Sequence, residues 1–524
     1  MEGNSGLSSS GKKGWTLTEK INDVAARRGI YFPTAEIYGG VAGFYDWGPI
    51  GTLLRRKIIE TWRNFFVTSE DNVYEIDGST ILPYSVLKSS GHVDHFTDPK
   101  VECQKCKKVF RADHLIEEAT GENVERLSLD EMTKVIRDKK IKCPKCGGDL
   151  SDVKPFRLMF EVGIGAEGTQ GFLRPETAQN IFMAFKRVFS TMRGTLPFGL
   201  AQIGRSYRNE ISPRQGIFRL REFTQMEVEF FIDPRRLDDH PRFSEVKNVH
   251  VRILTREAQE RSKEEGDGGV LDLTAQEAVQ RKLVPNQCMA YYIAKETLFY
   301  TSIGIPAEKL RFRAMMPEET PHYSGGNLDL EVELSTGWRE ILGNAYRQDY
   351  DLKSHSKGSS EDLSITLPGE EQRIIPHVIE PSVGVERIAI CLLELCFREG
   401  DREWTWFKFP PKIAPIEVIV IPLMRKDKLP EKAKGIYITL KAEGFDVMYD
   451  EKGSVGKIYA RSDEIGIPYA ITVDYTTLED DTVTIRDRDT QKQVRSKIDG
   501  LPSTIRKLIE HHMTFEQAGT PLKH

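Results

Sequence analysis

The stretch FRLREFTQMEVEFF, residues 218–231, decides the fold. Read with a period of two, it sets Thr224, Met226, Val228 and Phe230 on an apolar face of a strand. The opposite face carries Arg219, Arg221, Phe223, Gln225, Glu227 and Glu229. A solvated sheet surface accounts for charges in that pattern. Two guanidiniums, a ring and two carboxylates in file also suit an anion, a stacked base and a cation. Just upstream, GRSYRNE (204–210) supplies Arg208 and Glu210, and the loop from Ser212 to Gly216 returns the chain. The two segments are expected to pair as a hairpin that converges their charges.

Working outward, Leu328, Leu330, Val332 and Leu334 alternate with Asn327, Asp329, Glu331 and Glu333, as in a half-buried strand. Ser335-Thr336-Gly337 then turns the chain into a second strand over 338–345. Residues 52–67 place Leu54, Ile58, Trp62 and Phe65 on one helical stripe. These features predict an α+β domain built on an antiparallel sheet. FKFPPKIAP (407–415), with three prolines, reads as an interdomain linker. Beyond it, strands at 416–423, 445–449, 469–473 and 482–486 alternate with helices at 430–443, 455–465 and 502–512, predicting an α/β domain. Charge-rich, weakly patterned segments lie at 116–140 and 255–285.

The 524 residues, 39% apolar and 29% charged, suit a soluble protein of several domains. Lys plus Arg number 74 against 79 Asp plus Glu, a net charge of −5. That balance excludes a globally basic nucleic-acid coat but leaves room for a local basic groove. No run approaches the ~20 apolar residues of a membrane span. MEGNSGLSSSGKKG (1–14) lacks the apolar core of a secretory signal and reads as a disordered tail. The seven cysteines are unevenly spread, with Cys288, Cys391 and Cys396 in apolar or helical surroundings, which points to the cytoplasm rather than a disulfide framework.

The other four cysteines form two CxxC pairs, Cys103/Cys106 and Cys143/Cys146, separated by 36 residues. Each pair offers two thiolates to a tetrahedral zinc ion, and Gly147 and Gly148 allow a tight knuckle behind the second. Four protein ligands leave no open position, so the expected role is structural. In IPHVIEPSVGVER (375–387) a strand is expected to end at Glu380, with Ser382 capping a helix that holds Arg387. Gly384 would let a backbone or a phosphate come close. In GFLRPETAQ (171–179), Pro175 suits the first turn of a helix and Glu176 its start, where a carboxylate complements the dipole. Each of these last two has a plain structural explanation on its own.

In this order and spacing the pieces resemble the class II aminoacyl-tRNA synthetases, and among them the homodimeric glycyl-tRNA synthetases. Arg208-x-Glu210, the loop and Arg219-x-x-x-Phe223 resemble motif 2 of that class; Ser382-x-Gly384-x-x-Arg387 resembles motif 3, with Ser where Gly is usual. GFYDWGP (43–49), SSGHVDHF (89–96), RADHL (111–115), RPETAQ (174–179), FTQMEVEFF (223–231) and VIEPSVGVER (378–387) are similar to glycyl enzymes. GKIYARSDEIGIPYAITVD (456–474) is similar to the class IIa anticodon-binding fold. Two departures stand out. The proline that usually closes motif 1 is displaced, with Ser79 in its place and Pro83 offset, and HYSGGNLDLEVE (322–333) differs enough that Asp329 and Glu331 receive no role.

The resemblance implies a catalytic core in three parts (15–98, 156–232 and 326–406), a zinc-binding insertion at 99–155, a second insertion domain at 233–325, and an anticodon-binding domain at 416–524. It implies an ATP-dependent ligase that activates glycine to glycyl-adenylate and transfers it to the 3′ end of tRNA(Gly). Mg2+, structural Zn2+, a homodimer and a cytoplasmic location come with it. Arg208 and Arg387 would be catalytic, Arg208 at the α-phosphate and Arg387 with Arg219 at the outer phosphates. Phe223 would stack on adenine, Glu210 would accept from its amino group, and Glu340 would hold Mg2+. Asn209, Phe218, Leu220, Arg221, Ile341 and Gly384 would complete the ATP site. For glycine, Glu176, Glu227 and Glu380 would surround the ammonium, beside Gln225, Pro381 and Ser382, with Arg111 near the carboxylate. A closed pocket would reject alanine by overpacking, without an editing module. A non-catalytic relative would usually have lost the ATP-binding arginines. An enzyme for threonine, proline or histidine fits the acidic set and EPS sequence less well, and a purely zinc-binding protein leaves the charged strand face unexplained.

Overall fold

A computed structural model describes residues 14–522 apart from 123, 125, 126, 212, 214, 215, 266–268, 318 and 321–323. The tail expected at 1–14 therefore lies outside the described residues except for Gly14, as do Ser212, Arg214 and Gln215 of the hairpin loop and the first two residues of HYSGGNLDLEVE.

Among the described residues nine strands make the principal sheet: β1 (Val73–Ile76), β2 (Phe198–Tyr207), β3 (Glu222–Ile232), β4 (His250–Leu254), β5 (Leu271–Thr274), β6 (Leu310–Ala314), β7 (Asn327–Leu334), β8 (Gly337–Gln348) and β9 (His377–Gly384). Their order is β5-β4-β6-β7-β8-β9-β3-β2-β1, antiparallel except for β1–β2 and β4–β6. The hairpin expected from the sequence is β2–β3, with Ser206 opposite Phe223 and Gln202 opposite Glu227. On its other side β3 pairs with β9, Glu227 opposite Ser382, and β9 pairs with β8, Glu380 opposite Ala345.

Helices α1 (Pro49–Arg63) and α4 (Val385–Cys396) bury the even-numbered face of β3, where Met226, Val228 and Phe230 share a core with Ile58, Trp62, Ile388 and Leu392. Helix α2 (Ala178–Thr191) covers the far end of the odd-numbered face, stacking Phe185 on Phe231 with centroids 4.0 Å apart. Glu227 and Glu229, on that same face, are buried, so it is no solvated surface. Arg219 and Arg221 precede the strand, which begins at Glu222.

Three expected boundaries move. Helix α2 starts at Ala178, leaving Pro175 and Glu176 in the chain approaching it. Strand β9 runs on through Gly384, so Ser382 is a strand residue and no N-cap; its hydroxyl accepts from Gln225 instead, and Gly384 occupies the cap position. The 233–325 insertion is no separate body: it adds β4, β5 and β6 to the same sheet, and its helix α3 (Gln287–Ser302) lies in the same core.

The proline-rich 407–415 segment is no exposed tether either. Phe407 and Phe409 are buried and stacked at 5.1 Å. Past it, β10 (Val418–Pro422), β11 (Val447–Tyr449), β12 (Tyr469–Val473), β13 (Thr482–Asp487), β14 (Gln493–Lys497) and β15 (Thr520–Pro521) form a mixed sheet in the order β11-β10-β12-β13-β14-β15. Helix α5 (Val455–Ile465) docks this sheet on the first: Ile458 and Ile465 join the principal core, and Glu464 takes Arg28 Nε at 2.6 Å.

Candidate active site

At the loop end of the β2–β3 hairpin the Arg208 guanidinium lies 5.3 Å from the Phe223 ring centroid and 5.6 Å from that of Phe96. Its Nε donates to the Pro175 carbonyl at 3.2 Å. Arg219 Nη2 is 2.7 Å from Glu210 Oε2. From α4, Arg387 Nη1 is 2.8 Å from Glu340 Oε1 on β8, and its guanidinium sits 5.4 Å over Phe218. Three arginines, two carboxylates and three rings thus line one end of the sheet. Glu210 and Glu340 occupy the guanidiniums that a triphosphate would claim, so anion binding there is an exchange of partners.

Arg221 does not belong to that set. Its Nε and Nη2 donate to the Glu210 carbonyl at 3.1 and 2.7 Å, and its Nη1 to the Ala42 carbonyl at 2.5 Å. The guanidinium braces the loop against the segment at Gly43, whose φ of +80° and closeness to Pro213 exclude a side chain. Leu220 and Ile341 are buried in the core, leaving only their backbone for a ligand. The amide of Asn209 donates to the Leu158 carbonyl at 2.6 Å. A Cβ at Gly384 would meet nothing nearer than Arg387 Cγ at 3.8 Å, so protein packing alone does not demand glycine beside that arginine.

One step along the sheet lies a chamber of acids. Glu227 accepts from the Thr177 hydroxyl and, at 2.9 Å, from Gln225 Nε2. Gln225 Nε2 also donates to Ser382 Oγ at 2.7 Å, and Gln225 Oε1 accepts from Ser206 Oγ at 2.9 Å. Glu380 receives Arg347 Nη1 at 2.6 Å, and the rest of that guanidinium grips Asp351 at 2.7 and 2.8 Å. Glu176 accepts from Gln179 at 2.7 Å and faces His92 Nε2 at 3.4 Å. Burial, with Glu380 and Glu176 adding to it, pushes Glu227 up to about 8. Burial likewise lifts Glu380 to about 7 against the pull of Arg347. Glu176 goes the other way: burial opposes its ionisation, but His92, Arg347 and Gln179 outweigh it. A buried wall that holds more acid than base suits a small organic cation.

Pro381 pairs with Asn344, whose side chain reaches Glu296 on α3, so it lies on the face of β9 away from Glu380 and Ser382. Arg111, expected near the glycine carboxylate, is a charge neighbour of Glu210. It is held by Asp113 through Nε at 3.1 Å and by Asp98 at 3.3 Å, and two local carboxylates already balance its charge. Residues without an expected role enter instead, namely Arg347, Thr177, Ser206 and His92, and Glu229 of the charged strand face lies beside them.

The four cysteines converge. Cys103 Sγ lies 3.5 Å from Cys146 Sγ, and Cys106 Sγ 3.7 Å from Cys143 Sγ. A tetrahedron with 2.3 Å arms has edges of about 3.8 Å, so the donor set fits zinc. Lys107 and Gly147, at φ of 59° and 68°, turn the two knuckles alike. Gly148 is required by contact: a Cβ there would lie 3.1 Å from Cys103 Sγ and 2.8 Å from Lys105 Cβ.

Comparison with known proteins follows the same division. Residues 164–395 match the family described as tRNA synthetase class II core domain (G, H, P, S and T), and residues 417–508 match the anticodon binding domain. The chain is 42% identical over 583 residues to the glycine–tRNA ligase of Aeropyrum pernix, covering 97% of this chain and 99% of that protein. The glycine–tRNA ligase of Pyrococcus furiosus is also 42% identical, over 94% of this chain and 99% of its own length. Among solved structures, prolyl-tRNA synthetases share the fold. Those of Cryptosporidium parvum, with halofuginone and AMPPNP, and of Giardia lamblia, with prolyl-adenylate, have TM-scores of 0.56 and 0.57 at 12% and 15% identity. They cover 95% and 93% of this chain and 76% and 75% of their own.

Proposed function

The chain belongs to the glycine–tRNA ligase family, ATP-dependent class II synthetases that join glycine to tRNA, and from that premise we infer which of its side chains carry the reaction. Glycine's carboxylate attacks the α-phosphorus of ATP, pyrophosphate leaves, and the glycyl group then passes from the adenylate to the terminal ribose of tRNA(Gly). Positioning and charge neutralisation dominate the first step, since little covalent help is needed from the protein. Arg208 neutralises the charge that grows on the α-phosphate. Arg219 and Arg387 release Glu210 and Glu340 to take the outer phosphates. Phe223 stacks on adenine, and Glu210 accepts from its amino group. Glu340, an oxygen donor freed by that exchange, would hold Mg2+, which would neutralise phosphate charge.

The ammonium of glycine sits among Glu176, Glu227 and Glu380, with Ser382 and Gln225 at the side. The observation that carries this reading is the acid-rich chamber, fixed by Arg347, Thr177 and Gln225, next to three arginines whose partners are exchangeable. We also propose that the cysteines hold a structural zinc ion, that residues 416–524 read the anticodon, and that the enzyme works as a cytoplasmic homodimer. ATP–pyrophosphate exchange run with each of the twenty amino acids tests the assignment: glycine alone should support it. Exchange with alanine at a comparable rate would refute the closed pocket. Zinc should be found at one ion per chain, and its removal by a chelator should make residues 99–155 susceptible to proteolysis.

A further inference from the structure

Glu229 is buried, and neither of its carboxyl oxygens has a hydrogen-bond partner. It follows Glu227 by two residues along β3 and so shares its face. One oxygen each of Glu227, Glu229 and Glu380 fall within 4.8 Å of one another. The other groups facing this point are Arg347 and Asp351, and the three donating nitrogens of Arg347 already serve Glu380 and Asp351. Gln202, opposite Glu227 in the hairpin, makes no hydrogen bond to these acids: both of its side-chain polar atoms are buried without a partner. An ionised Glu229 would therefore be a bare charge between two other acids, whereas a protonated one supplies the donor that its neighbours can accept.

We propose that Glu229 stands behind the glycine pocket as a neutral carboxylic acid whose hydroxyl donates to the carboxylate of Glu227 or Glu380, making it a positioning residue that aims the accepting carboxylate at the substrate ammonium. This rests on the pocket described under the proposed function. Burial, then the charges of Glu380 and Glu227, outweigh the opposing Arg347 and hold its pKa well above the ordinary carboxylate range. Glycine has no side chain to grip, so the aim of these carboxylates is a large part of what can orient it.

Two substitutions separate donor from charge. Glu229→Gln keeps an N–H donor, and Glu229→Ala removes it. In glycine-dependent pyrophosphate exchange, E229Q should hold the KM for glycine within about threefold while E229A raises it about tenfold, with the KM for ATP unmoved in both. In E229A the pH below which the KM for glycine climbs should also move upward, because Glu227 or Glu380 loses a donor that favours its ionised form. An E229Q with a KM raised about tenfold would overturn the inference even if E229A failed to fold. An E229A with the parent's KM and pH profile would overturn it too. Glu227→Gln tells the two readings apart. If it leaves the KM for glycine unchanged, the pocket itself is misassigned; if it raises that KM while the Glu229 variants depart from expectation, only the role of Glu229 falls.

Discussion

Helix α5 carries Asp463 into the junction between the two sheets, where Arg486 reaches its oxygens at 2.9 and 3.0 Å, Arg402 at 2.8 Å and Trp404 at 3.3 Å. Glu229 on β3 is buried as deeply and has none of these partners. The junction closes every charge within the protein: Arg402 lies 3.8 Å over Trp406, and the neighbouring Glu464 takes Arg28 and Thr405. The chamber at β3 and β9 leaves its acids in excess. Buried ion pairs that are complete lock one arrangement, while an incomplete set binds whatever completes it. One region is therefore built for stability, the other for a visiting cation.

The contrast can be broken first at the junction. Asp463→Ala strands Arg402 and Arg486 without a counter-charge and should cost about 3–5 kcal/mol of stability. Thermal unfolding would show this, while pyrophosphate exchange per folded molecule stays near the parent's value; a D463A that melts normally would deny the junction its role. Arg208→Ala should do the opposite, lowering adenylate formation about 10²-fold or more with little change in melting temperature.

A smaller effect sharpens the contrast through pH. Glu227 and Glu380, lifted to about 8 and about 7, hold protons in the empty enzyme that an arriving ammonium must expel. The KM for glycine should rise as pH falls from 8 towards 6, by at most about tenfold per unit for each proton released. The sign for stability is the reverse. An acid whose folded value is raised stabilises below its unfolded value, and that contribution is lost as pH rises through the folded one. The empty enzyme should thus lose this increment between about pH 4.5 and 8, and glycine should protect it against heat more at pH 8 than at pH 6. Equal protection at both would mean that the chamber does not titrate.

Local patterns were legible in the sequence, and long-range pairings were not. The CxxC pairs and the alternation of β3 are written into consecutive residues, so the cysteine cluster and the hairpin could be read directly. Arg347 escaped because the strand expected over 338–345 ends two residues short of it, whereas β8 runs on to Gln348. Ala345 lies opposite Glu380, so Arg347, two residues further on, shares the face of that acid. Arg111 has the right chemistry for a carboxylate, but Asp98 across the neighbouring strand and Asp113 two residues on engage it first. The segment 233–325 looked independent because its strands find their partners only through β6 pairing with β7.

The pairs Arg219–Glu210 and Arg387–Glu340 bear on product release as well as on entry. As pyrophosphate departs, Glu340 is at hand to reclaim Arg387, and once the adenine leaves Glu210 reclaims Arg219, so the vacated trough plugs itself. Stray phosphate or sulfate then meets a neutralised surface, and a ligand that also lays a base against the rings has the advantage in prising both plugs out.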